Sequence, residues 1–136
     1  MGGRESNSLV ITLGGEDAVH AATAAARSFA AEFGLGHDDA ARLCIVIEEL
    51  VTNLYEHGGV SGGDRVKLAF ASEPGGVRIV LDDPGIAFDP RGTAGEAIPD
   101  RGGGAGVNLV RAWTQILDYR SIGGVNTLSL LLPLRG

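Results

Sequence analysis

From residue 38 to residue 57 the chain repeats apolar side chains at helical spacing, and the stripe is wide. On a helical wheel Ala40, Leu43, Cys44, Val46, Ile47, Leu50, Val51 and Leu54 form one broad arc. A helix with such an arc is stable only when another layer covers it, so the rest of the chain must supply that layer. Residues 9–13 alternate apolar with polar, as do 65–71 and 77–81 around the turn Glu73-Pro74-Gly75-Gly76. Two more strands, 118–121 and 127–132, flank Gly123-Gly124. An alanine-rich helix is predicted over 16–33, with Val19, Ala22, Ala26, Phe29 and Ala30 on one face, and Gly34 and Gly36 close it. Asp38 or Asp39 is expected to cap the second helix, and Gly58-Gly59 to stop it. A third helix is expected from about Ala105 through Leu109, Val110, Trp113 and Ile116 or Leu117. The order β-α-α-β-β-loop-α-β-β predicts the α/β class: a two-layer sandwich of a mixed, mostly antiparallel sheet with helices on one face. At 136 residues the chain fits a single domain, 1–136.

The net charge of −6, with eleven scattered basic residues, argues against a nucleic-acid surface, which needs clustered Lys and Arg. No apolar run reaches the roughly 18–20 residues of a membrane span, and no basic-then-apolar leader opens the chain. A soluble, cytoplasmic protein is expected. Cys44 is the only cysteine, so no intrachain disulfide forms and a reducing compartment is expected. Its place on the apolar arc fits a small buried side chain better than a nucleophile.

Three constellations stand out. Glu49, Asn53 and His57 recur every fourth residue, one turn apart on the border of the apolar arc. Asn is a mediocre helix former that competes for backbone hydrogen bonds, so Asn53 in mid-helix hints at a task. The plain alternative is a solvated edge, with His57 favourably placed near the helix C-terminus. The second is Asp82-Asp83-Pro84-Gly85-Ile86-Ala87-Phe88-Asp89-Pro90, where a strand ends. A carboxylate there can accept a hydrogen bond from an exocyclic amino group, and Gly85 lets a ligand ring approach the backbone; the plain alternative is an acidic turn. The third is Gly102-Gly103-Gly104-Ala105-Gly106 entering a helix. Free N–H groups at a helix start suit phosphate, although the segment is neither a Rossmann nor a Walker loop and would otherwise be a flexible linker. Between the last two, residues 84–104 carry no sustained period, a length of loop that is usually functional or disordered.

In order and spacing the three motifs resemble those of the GHKL (Bergerat-fold) ATPases, and within them the bacterial anti-sigma-factor serine/threonine kinases. The family's Glu-x3-Asn-x3-His is met by Glu49, Asn53 and His57, and its Asp-x-Gly by Asp83-Pro84-Gly85, continuing Phe88-Asp89-Pro90. Its second glycine motif is met by Gly104-Ala105-Gly106-Val107-Asn108-Leu109-Val110, and Tyr119 through Leu128 also looks like the kinase branch. The chain departs at Ala87, where many members carry a glycine, and a tighter lid hinge is expected there. By resemblance, Asn53 would ligate Mg²⁺ and help bind ATP, and Asp83 would read the adenine amino group, through a water held by Thr127. Gly85 would let the base sit close, Gly104 and Gly106 would hold the phosphates, and residues 84–104 would form the nucleotide lid. Glu49 would be the general base, and Arg91 and Arg101 would touch the terminal phosphate or the partner. His57 would orient the helix end and takes no chemical role. The implied function is phosphorylation of a serine on an anti-anti-sigma (STAS-type) partner by a homodimer that also sequesters a sigma factor. The alternatives are a non-catalytic ATP-binding module of the same fold, or the catalytic domain of a histidine kinase, for which no phosphoacceptor helix pair precedes residue 9.

Overall fold

Sheet pairing starts from the two tight turns. Gly123 and Gly124 sit at φ 61° and 81°, the left-handed pair that a two-residue hairpin turn requires. They join β4 (Gln115–Ile122) to β5 (Val125–Pro133). Pro74 and Gly75 likewise join β2 (Val66–Glu73) to β3 (Gly76–Asp83). With β1 (Ser8–Leu13), the strands form a five-stranded sheet in the order β1-β2-β3-β5-β4, antiparallel at every pairing among the described residues. This is a computed structural model, and it describes residues 8–90 and 104–135, with side chains from residue 108 onward in the last helix.

Three helices cover one face: α1 (Ala18–Glu32), α2 (His37–Glu56) and α3 (Gly104–Trp113). The strand alternation decides which face. Leu68, Phe70, Ile79, Leu81, Leu128, Leu130 and Leu132 are all buried and all share that side of the sheet. Ala22, Ala26 and Ala30 are small enough to let α1 sit close, and Phe29 of α1 stacks on Phe70 of β2 with ring centroids 5.4 Å apart. The architecture is the expected α/β sandwich.

Two boundaries differ from the sequence expectation. Gly36 is the N-cap of α2, with extended backbone, so Asp38 and Asp39 fall inside the first turn. Asp39 is needed elsewhere: it accepts hydrogen bonds from Arg42 (2.9 Å) and from the backbone N–H of Arg135 (3.0 Å), tying α2 to the segment after β5. The third helix ends at Trp113, and Ile116 belongs to β4. Thr114 follows it, its N–H and its hydroxyl both donating to the Val110 carbonyl, at 2.9 and 2.6 Å. A bulge between Ile116 and Asp118 then keeps both Ile116 and Tyr119 on the helix-covered face.

Candidate functional site

The central strands β3 and β5 end beside the last two turns of α2, and the space between them is a pocket. Glu49, Leu50, Asn53 and Leu54 line it from α2, and Leu81, Asp83 and Leu128 from the sheet. Val110 of α3, Tyr119 of β4 and the segment after β3, with Ile86, Phe88 and Pro90, complete the wall.

Asn53 is the side chain that most needs an occupant. Its Oδ1 is buried and has no hydrogen-bond partner among the described residues. Leaving a buried acceptor unsatisfied costs about 1–3 kcal/mol unless something enters to meet it. A neutral, hard amide oxygen beside the Glu49 carboxylate fits a Mg²⁺ ion that takes its other ligands from phosphates and water. Among the described residues no group of three or more His, Cys, Asp or Glu lies together, so any cation here depends on the ligand's own oxygens.

Asp83 is buried at 8% exposure and held from two sides. Its Oδ1 accepts from the Gly85 N–H at 2.8 Å and from the Asn126 amide at 3.1 Å. The same Asn126 nitrogen donates to the Gly85 carbonyl at 2.9 Å, and the Ser121 hydroxyl meets Asn126 Oδ1 at 2.6 Å. Asn126 was not picked out by the sequence motifs, yet a signal was present. Leu128, Leu130 and Leu132 alternate on the buried face, and the same parity puts Asn126 inside and Thr127 outside. Thr127 pairs with Asp82 on the face turned away from the helices, and Asn126 is the residue opposite Asp83. Thr127, expected to hold a water beside Asp83, stands one register step from it along β5.

Gly85 is a glycine for a reason the sequence did not reveal. A Cβ there would lie 2.3 Å from the Gly58 carbonyl oxygen and 2.8 Å from Val60 Cγ2. The loop after α2 and the loop after β3 thus touch backbone to backbone, joined by the Ile86 N–H donating to the Gly58 carbonyl at 2.8 Å. His57 is the C-cap of α2, its N–H on the Asn53 carbonyl at 2.9 Å, and it is not part of the pocket wall. Gly104 and Gly106 fall in the first turn of α3, one turn before Val110. Arg91, Arg101, Gly102, Gly103 and the lid beyond Pro90 lie outside the described residues.

Tyr119 holds the start of that loop, its hydroxyl accepting from the Phe88 N–H at 2.8 Å. Tyr119→Phe is expected to cost about 1 kcal/mol and to speed hydrogen exchange at the Phe88 amide, read by exchange NMR. Cys44 lies in a second groove with Arg27 and Glu48. Burial pushes its thiol up, Arg27 opposing and Glu48 adding, so the thiolate is disfavoured and the plain structural reading fits. No described helix is long and apolar enough to cross a membrane.

Residues 15–132 match the profile of the family described as histidine kinase-like ATPase domain. Among curated proteins no significant match is found. Among solved structures, the chain is similar to the RsbU and RsbW domains of Rv1364c from Mycobacterium tuberculosis. That crystal structure is 27% identical with a TM-score of 0.62, over 93% of this chain and 32% of that one. The chain therefore spans about a third of the length of that protein's crystallised chain.

Proposed function

This chain belongs to the histidine kinase-like ATPase domain family, and on that premise we propose that it binds Mg·ATP in the α2–β3–β5 pocket and transfers the terminal phosphate to a serine or threonine of a small protein. The observation that carries the reading is the buried Asn53 Oδ1, which has no hydrogen-bond partner among the described residues and lies one turn after Glu49 and across the pocket from Asp83.

Each residue then has one task. Asn53 supplies the metal's protein oxygen. A Mg²⁺ ion held there would supply positive charge against the negative charge of the phosphates during transfer. Asp83 accepts the adenine amino group, Gly104 and Gly106 present backbone N–H groups to the phosphates, and Glu49 removes the proton from the attacking hydroxyl. The acceptor is proposed to be a STAS-type anti-anti-sigma protein, in a partner-switching system in which the chain also sequesters a sigma factor. Similarity to a protein that carries an RsbW domain beside an RsbU domain supports that place. We take residues 1–136 to act as one domain and the chain to be a cytoplasmic homodimer.

Calorimetric titration with ATP, with and without Mg²⁺, tests the site. Metal-dependent binding is expected in the wild type, weakened by about 10–100-fold in Asn53→Ala. No heat with any adenine nucleotide would sink the reading.

A further inference from the structure

We infer that Asn126 is the positioning residue that sets the choice of nucleobase, because it fixes the orientation of the Asp83 carboxylate; the inference rests on the nucleotide reading above. Asn126 is 3% exposed and bridges three groups at once. Its nitrogen meets Asp83 Oδ1 and the Gly85 carbonyl, both acceptors, while its oxygen meets the Ser121 hydroxyl. Turning the amide over would set its oxygen against two acceptors, so the network admits one orientation. With the Gly85 N–H also on Oδ1, the carboxylate is gripped from the loop on one side and from β5 on the other. A buried network satisfied in this way resists rotation.

Rotation matters for specificity. A carboxylate is an acceptor, and in one fixed pose it pairs with an exocyclic amino group while opposing a carbonyl at the same place, which separates adenine from guanine. A carboxylate able to turn would also suit guanine, whose N1–H and 2-amino group are both donors. Selection therefore comes from the grip on Asp83 more than from the presence of an acid. Asn126 acts through Asp83 and is given no contact with the nucleotide.

The test compares ATP and GTP dissociation constants, by calorimetry on the full chain, for wild type, Asn126→Ala and Asn126→Thr. Thermal melts establish that each variant is folded. The wild type is expected to favour ATP by at least about 100-fold, as a site built around a polar contact does. Asn126→Ala should lower that ratio by about tenfold or more, the worth of one lost charged hydrogen bond. Asn126→Thr, which retains one donor, should recover part of the ratio. A mere structural role would weaken both nucleotides equally, so an unchanged ATP:GTP ratio in a folded variant overturns the inference and leaves the nucleotide site standing. If Asn126→Ala does not fold, the ratio in Asn126→Thr decides alone: a wild-type ratio there overturns the proposal. A wild type that binds neither nucleotide overturns the nucleotide reading and this inference with it.

Discussion

Glu49→Gln is expected to lower phosphate transfer by about 10²–10⁴-fold while leaving Mg·ATP affinity nearly unchanged. Glu49 is half-buried on the pocket wall, one helical turn before Asn53, which sets it beside the proposed metal and the terminal phosphate. Glutamine keeps the volume and can still accept a hydrogen bond, but it cannot take the hydroxyl proton. The split between rate and affinity is the informative part, because a residue that only braced the pocket would weaken binding as well. The measurement is transfer of radiolabelled terminal phosphate to a STAS-domain protein, with ATP affinity taken by calorimetry on the same preparation. Equal transfer rates for variant and wild type would remove Glu49 from the mechanism. A wild type that binds ATP, changes its partner affinity and transfers nothing would point instead to the non-catalytic module.

Asp39→Ala is expected to destabilise the fold by about 3–5 kcal/mol, the usual cost of stranding one member of a buried ion pair. Asp39 and Arg42 are 3% and 7% exposed. With Asp39 gone, Arg42 would keep the Pro133 carbonyl at 3.1 Å and the Trp113 ring beneath its guanidinium, neither of which neutralises its charge. The Arg135 N–H would lose its acceptor as well. Urea unfolding measures the effect as a fall in midpoint at constant slope. Asp39 lies fourteen residues before Asn53 on the same helix, roughly 21 Å away at 1.5 Å per residue. The folded fraction should therefore bind ATP nearly as well as the wild type, and a comparable loss of affinity would mean that the two ends of α2 are coupled.

The layers of this fold were legible because its two periods are clean. The wide apolar arc of α2 and the alternation in β2, β3 and β5 each announce a face, and the glycine pairs mark where strands reverse. Less legible was anything that depends on which strand lies beside which. Asp83 and Asn126 are 43 residues apart, and they meet only because β5 inserts next to β3 and leaves β4 at the edge. A motif read along one strand cannot see across that pairing, and so Asn126 went unremarked beside Thr127. The helix end at Trp113 was obscured for a local reason: Ile116 and Leu117 continue an apolar pattern that suits a helix, and the bulged edge strand uses the same side chains.

The contact between Gly85 and the Gly58 carbonyl changes what a glycine at that position can signify. No side chain fits there while the two loops touch, whatever the pocket holds. A descendant of this chain that had lost Asn53 and Glu49, and with them any use for ATP, would still be held to glycine at position 85 by its own backbone. In a set of diverging sequences, then, Gly85 is a marker of ancestry, and the proposed nucleotide site has to be sought in Asn53, Glu49 and the pair Asp83–Asn126 instead.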